Sequence, residues 1–166
     1  MMNNISRDKL IGIVVDIETE LGHLDRLGAD IQDVQREIAM DPEHRRLFYE
    51  NLALKLHNFY TGCERIFSVV TSELNGGPPT GYDWHQRLLD RMAADWGERP
   101  AIITAATATD LREFLSFRHV VRNVYGYELD PERIERLLQK YPPTWNAFQH
   151  DVEDFVRKLK AMIDLV

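Results

Sequence analysis

The sequence predicts an all-α protein, a helical bundle of about five or six helices that begins with a long antiparallel hairpin. Apolar residues recur at steps of three, four or seven over most of the 166 residues. No segment alternates apolar and polar residues as a strand does, and Pro and Gly cluster at a few sites between the periodic stretches. The length fits one domain, and we expect it to cover residues 1–166.

The first predicted helix carries an apolar stripe with a spacing of seven. Ser6 is a candidate N-cap, and the helix should end near Asp41-Pro42 because the residue before a proline avoids helical geometry. The stripe consists of Leu10, Ile17, Leu24, Ile31 and Ile38, with Val14 and Leu21 between them. Such a long stripe needs a partner helix to cover it.

The second predicted helix runs from about Glu43 to the loop at residues 75–79. Its apolar residues advance in steps of three and four, and Asn75-Gly76-Gly77-Pro78-Pro79 ends it. They are Leu52, Leu56, Phe59, Cys63, Ile66, Val70 and Leu74. The two long helices are expected to form the antiparallel hairpin.

Shorter helices follow. Asp83 is a candidate cap for a helix that contains Trp84, residues 97–107 are predicted to be a loop, and a fourth helix should start near Thr109-Asp110. Pro131 suits the first position of the next helix. We expect Pro142-Pro143 to interrupt that helix before a last one reaches the C-terminus.

Composition limits the function classes. The formal net charge of −7 argues against coating nucleic acid through bulk charge, but it leaves room for a local basic site. Cys63 is the single cysteine, which excludes an intrachain disulfide and a cysteine-rich zinc site. No two histidines are three or four apart, so no helical metal pair is predicted. No apolar run approaches the roughly 20 residues of a membrane span, and no secretory signal is visible, so we expect a cytoplasmic protein without a membrane partner.

The segment 111–125 carries the unusual pattern. Arg118, Arg122 and Tyr125 form one strip of its helical wheel, and His119 and Asn123 form another. The predicted core face holds Phe114, Phe117, Val120, Val121 and Val124. Leu111 and Leu115 share the face of the arginines, which predicts a partly apolar surface that meets another molecule or another copy of this chain. The alternative is that the arginines are solvated, or pair with Glu128 or Asp130.

The order Arg118, four residues, Asn123, one residue, Tyr125 resembles the signature of HEPN domains, in particular the HepT-like toxin ribonucleases. Their pattern is Arg, four residues, His, one residue, Tyr, with a polar residue after the Arg, where this chain has His119. The helical hairpin followed by a signature helix in fourth place is similar to the HEPN bundle over nearly the whole chain. The short Trp84-His85 helix also lies where related chains carry similar residues; His85 could line the cleft, or cap and pack the helix.

The resemblance implies metal-independent RNA cleavage, without a cofactor, by a homodimer whose signature helices face a shared cleft. Arg118 would stabilise the phosphate charge, position 123 would be the acid/base position, and Arg122 and His119 would contact or orient RNA. DNA would resist such an enzyme, because only RNA carries the 2′-hydroxyl. The interpretation would fail if the Arg118 guanidinium were locked in an internal ion pair and pointed away from any crevice.

The resemblance also implies a partner. Related toxins are neutralised by a nucleotidyltransferase antitoxin of the MNT type, which transfers AMP from ATP to the signature tyrosine, and that position is Tyr125. AMP there would add bulk and negative charge beside Arg118 and block RNA.

Asn123 departs from the family pattern, because an amide does not titrate near neutral pH. Three explanations stay open: catalysis is lost, His119 performs the proton transfer, or the histidine was replaced to permit production of a toxic protein. The alternative function is therefore a catalytically inactive interaction module that binds RNA or a nucleotidyltransferase through the same face. A plain helical homodimer without a substrate is a third possibility.

Overall fold

The computed structural model describes residues 5–123, 125 and 128–165, and this part of the chain contains five α-helices and no β-strand. The helices are α1 (Arg7–Met40), α2 (Arg45–Leu74), α3 (Trp84–Met92), α4 (Ala105–Asn123) and α5 (Pro131–Ile163), with a short 3-10 turn (Pro42–His44) between α1 and α2. The predicted all-α HEPN-type bundle is confirmed. No helix in these ranges is long and apolar enough to cross a membrane.

The N-terminal hairpin is antiparallel, as its ion pairs show. Three pairs join α1 to α2, and the α2 partner moves back along the chain as the α1 partner moves forward: Lys9 with Glu73, Glu20 with Arg65, and Asp30 with Lys55. The Ser6 side chain caps α1 by accepting from the Lys9 backbone N–H, and α1 ends at Met40. The sequence predicted the hairpin and both ends of α1 correctly.

The second helix lies at the centre of the bundle, because it contacts each of the other four. One hydrophobic cluster contains buried residues from all five helices, and Phe59 of α2 meets Phe114 of α4 and Tyr141 of α5 edge to face. Such aromatic pairs contribute about 0.5–1.5 kcal/mol beyond their buried area. That the chain is one domain over residues 1–166 stays a prediction.

The fifth helix is continuous, so the expected interruption at Pro142-Pro143 is wrong. Both prolines are exposed and lie inside α5, whereas Tyr141 and Trp145 beside them are buried. Each proline lacks the N–H that would donate to the carbonyl four residues before it, and buried Thr144 donates its hydroxyl to the Lys140 carbonyl at 2.8 Å. Packing of the buried side holds the helix together across the two prolines.

The fourth helix begins at Ala105, inside the segment predicted to be a loop. The Thr104 hydroxyl accepts from the Thr107 backbone N–H at 3.2 Å, which caps the first turn. Asp151 of α5 accepts from the Thr104 N–H at 2.9 Å and from the Thr107 hydroxyl at 2.7 Å. A carboxylate from another helix thus fixes the start of α4, which local sequence could not show. Asp83 precedes α3, but its side chain makes no capping hydrogen bond.

Candidate functional site

The fourth helix is surrounded by others, so its arginine-bearing face is more buried than the helical wheel predicts. It packs against α2, α3 and α5. Phe114 and Phe117 are buried as predicted, but Leu111 and Leu115 are buried too, at 0% and 3% exposed. The prediction that these leucines form an exposed apolar surface is therefore wrong.

The last turn of α4 is less buried than the helical wheel predicts. Val120 and Val121 of the predicted core face are only partly buried, because α4 is ending there. Val124 and Gly126, which the sequence placed on and at the end of this helix, lie outside the described residues.

Arg118 is held in an internal ion pair with Glu64 of α2. Its Nη1 donates to both oxygens of the carboxylate, at 2.8 Å and 3.0 Å, and the two residues are 8% and 6% exposed. The expectation of a guanidinium free of internal ion pairs is wrong, and so is pairing of Arg118 with Glu128 or Asp130. The partner comes from a helix more than 50 residues away in sequence.

His85 of α3 completes this cluster. Its Nδ1 lies 2.5 Å from Glu64 Oε2 and 3.0 Å from Arg118 Nη1. Since Arg118 can only donate, the consistent assignment is that Glu64 accepts from both the imidazole Nδ1–H and the guanidinium. One carboxylate thus orients a cation and an imidazole, and we call these three residues the Glu64–His85–Arg118 cluster.

The remaining predicted site residues lie beside the cluster and are exposed. The His119 ring approaches His85 edge to face, with 5.7 Å between centroids. Asn123 Nδ2 donates to the His119 backbone carbonyl at 2.7 Å, so its amide faces its own helix. Arg122 is exposed in the last turn, and Tyr125, two residues after α4, is 71% exposed.

The charges of Arg118 and Arg122 on α4 reach His57 on α2. The pKa of His57 on α2 is lowered chiefly by burial, and the charges of Arg118 and Arg122 lower it further. The pKa of His85 is also lowered by burial, against the opposing hydrogen bond and charge of Glu64. Burial and the Glu64 charge raise the pKa of Tyr60 far above its ordinary value, so its phenol stays neutral. Both imidazoles therefore favour the neutral form, which a general base needs.

Glu64 and His57 were missed in the sequence because neither belongs to the signature. A signal for Glu64 existed: it is four residues after Tyr60 and three before Phe67, which places a carboxylate in the buried stripe of α2. A buried acid of this kind needs a cationic partner. His57 had no comparable signal, because it is only half-buried.

Arg118 does not line the cavity of about 570 Å³ that lies between α1 and α2. That cavity is bordered by Glu20, His23, Arg26 and Arg65, among others. Within the described ranges, no three His, Cys, Asp or Glu side chains come close enough to hold a metal ion. The candidate site is thus a buried cluster with an exposed polar rim.

The class of protein is the HEPN superfamily, with whose all-α bundle the fold of the described residues agrees. Within that class, the chain belongs to the HepT-like protein family, whose model matches residues 51–159, from α2 into α5. The match contains every member of the cluster and its rim. The family is associated with ribonuclease activity and a toxin-type function. No curated protein and no solved structure matches the chain.

Proposed function

We propose that this protein is a ribonuclease toxin that cleaves RNA without a metal ion, as a cytoplasmic homodimer with a cleft shared between two α4 helices. The observation that carries the proposal is the Glu64–His85–Arg118 cluster, with His119 at its edge. It combines the groups that RNA cleavage needs: a fixed positive charge, imidazoles and a carboxylate that orients them.

The reaction is attack of a ribose 2′-hydroxyl on the adjacent phosphate. The 2′-oxygen bonds to phosphorus, the bond to the 5′-oxygen breaks, one proton leaves the 2′-oxygen and one reaches the 5′-oxygen. Negative charge grows on the phosphoryl oxygens, where Arg118 would act. Its contacts with Glu64 and His85 use only Nη1, and a guanidinium has five N–H donors. The Nε–H is buried and has no hydrogen-bond partner among the described residues, so the Nη2 donors would serve the phosphate from within the ion pair, and exposed Arg122 would hold a neighbouring phosphate.

Regulation by a nucleotidyltransferase antitoxin of the MNT type is part of the proposal. The exposure of Tyr125, and its position two residues after Asn123, support the phenol as the acceptor of AMP. AMP there would bring negative charge to the rim formed by Arg122 and His119 and repel RNA. Incubation with the partner and ATP should raise the mass of a Tyr125-containing peptide by one or more AMP units. Labelling confined to other peptides would remove Tyr125 from the site.

The second candidate is an inactive interaction module that binds RNA or a nucleotidyltransferase. Asn123 favours it, because the amide stands at the family's histidine position, does not titrate, and donates to the His119 carbonyl. In this case the exposed rim would serve binding alone.

An RNA-cleavage assay on the wild-type chain and the Asn123→His variant separates the two. Cleavage by either protein that resists EDTA supports the ribonuclease function, provided that an oligonucleotide of the same sequence made only of 2′-deoxynucleotides is not cleaved. Arg118→Ala and Arg118→Lys should abolish it, and Arg118→Lys keeps a cation beside Glu64 in case Arg118→Ala does not fold. If neither the wild-type dimer nor the Asn123→His dimer cleaves RNA, the interaction module replaces the ribonuclease.

A further inference from the structure

We propose that His85 is the general base of this site, the role that Asn123 does not fill. The inference rests on the proposed ribonuclease function and adds a residue from α3, outside the α4 signature. It also explains why an imidazole and a guanidinium share one buried carboxylate.

The geometry around His85 is that of an oriented base. Glu64 accepts the Nδ1–H at 2.5 Å, which fixes the tautomer and places the lone pair of the neutral ring on Nε2. The polar contacts of the His85 ring with the described residues, the hydrogen bond to Glu64 and the approach of Arg118, are all made by Nδ1. Nε2 is therefore the nitrogen left for the substrate.

Two rings fix the plane of the imidazole. Trp84 stacks on it, with 3.6 Å between ring centroids and 31° between planes, and His119 meets it edge to face. The His85 side chain is 11% exposed, so it is packed but not sealed. A held, partly desolvated imidazole loses little freedom when it engages a 2′-hydroxyl.

The other candidates for this base are less well placed. The Asn123 amide has no basic nitrogen, and His119 is exposed, with no carboxylate to orient its ring in the described contacts. The charges of Arg118 and Arg122 both lower the pKa of His57, and its Nδ1 contacts the amide of Asn58 rather than a carboxylate.

The proton transfers then balance between two imidazoles. His85 Nε2 takes the proton from the 2′-hydroxyl as the 2′-oxygen bonds to phosphorus. The bond to the 5′-oxygen breaks, and that oxygen receives a proton from protonated His119. The products are a 2′,3′-cyclic phosphate and a 5′-hydroxyl, and no further reactant is needed. Arg118, fixed 3.0 Å from His85 Nδ1, places the phosphate charge next to the base.

The charged groups around His85 set its pH response. Glu64 faces it from α2, and Arg118 and His119 face it from α4. Burial, Arg118 and His119 lower the pKa of His85, whereas Glu64 raises it, and the net direction is downward. The cleavage rate should rise with pH as His85 loses its proton. The midpoint of this rise should lie below pH 6.5, the ordinary pKa of histidine.

The test compares His85→Asn with His44→Asn in the full-length protein. The amide that His85→Asn introduces can still donate to Glu64 but cannot take a proton. His44 is an exposed histidine whose Nδ1 lies 2.8 Å from Asp41 Oδ2, so it is a matched control. With a single-stranded RNA oligonucleotide, we expect His85→Asn to lose about 10²- to 10⁴-fold in rate and to lose the rise whose midpoint lies below pH 6.5. His44→Asn should keep both.

Chemical rescue separates a base from a packing residue. His85→Ala should regain cleavage when free imidazole is added, which a purely structural role would not allow. Wild-type rates in His85→Asn, an unchanged rise with pH, or no rescue would overturn the inference while the ribonuclease stands. If the wild-type chain is inactive and only Asn123→His cleaves RNA, His85 is not the base, and the ribonuclease is kept. If neither cleaves, both are overturned.

Discussion

Arg118 and Glu64 form an ion pair between α4 and α2 that is almost closed to solvent. The guanidinium Nη1 lies 2.8 Å and 3.0 Å from the two carboxylate oxygens, and the side chains are 9% and 8% exposed. Removing one partner of such a pair leaves an uncompensated buried charge, which costs more than the pair itself contributes. The pair therefore ties the candidate site to the stability of the bundle.

Glu64→Ala should lower the free energy of unfolding by about 3–5 kcal/mol, because Arg118 would lose its carboxylate in a buried position. Chemical denaturation at pH 7 measures the change. Glu18→Ala is the control, since Glu18 pairs with Lys160 at an exposed position and should cost about 1 kcal/mol or less. Equal, small losses in both variants would show that the Glu64–Arg118 pair is open to water.

Gly62→Ala should destabilise the hairpin by about 1–3 kcal/mol, because α1 and α2 approach closely there. A methyl group at Gly62 would clash with Leu24 Cδ2 and lie 3.0 Å from its Cγ, and Leu24 is buried. Gly12→Ala is the matched control: nothing lies within 4 Å of its added carbon, so about 0.5–1 kcal/mol of helix stabilisation is expected. Thermal unfolding compares the two, and a stabilising Gly62→Ala would contradict this contact.

The long N-terminal hairpin was predictable from sequence, because its signals are local. An apolar stripe needs only the helical period, and Ser6 and Pro42 mark the ends of α1 within a few residues. The start of α4 and the continuity of α5 were not predictable in this way. Asp151 of α5 fixes the start of α4. Burial of Tyr141 and Trp145 beside the two exposed prolines keeps α5 continuous.

The sequence predicted only the part of the site that lies on a single helix, α4. Spacing alone placed Arg118, His119, Arg122 and Asn123 at one end of α4, where the structure has them. It could not supply the Glu64 contact, because which residue of α2 meets α4 depends on the packing register of the two helices. The leucine error has the same cause: a helical wheel shows faces, but not how many neighbours cover them.

Replacing both exposed prolines of α5 should stabilise the protein. The variant Pro142→Ala/Pro143→Ala restores two backbone N–H donors inside the helix, and we expect a gain of about 1–3 kcal/mol, reduced by the freer unfolded chain. Pro131→Ala is the control, because Pro131 occupies the first turn, where its missing N–H has no helical partner. Denaturant midpoints measure both. A loss of stability in the double variant would mean that the prolines support the fold.

Acidification should destabilise the bundle in a window just below pH 6.5, because of His57 and His85. Burial lowers the pKa values of both His57 and His85. The unfolded chain therefore takes up these protons at a higher pH than the folded chain does. The free energy of unfolding should fall as pH decreases from about 6.5 and level off below the folded-state values.

The double variant His57→Asn/His85→Asn isolates this contribution. Unfolding free energies at pH 7.5, 6.5 and 5.5 should show a smaller decrease for the variant than for the wild type. The pKa of Asp154 is lowered from 3.8 by Lys158 and Arg157, so what this carboxylate contributes to stability is lost only at more acidic pH than these measurements cover. Identical pH dependence in the two proteins would mean that neither imidazole is held in its neutral form by the fold.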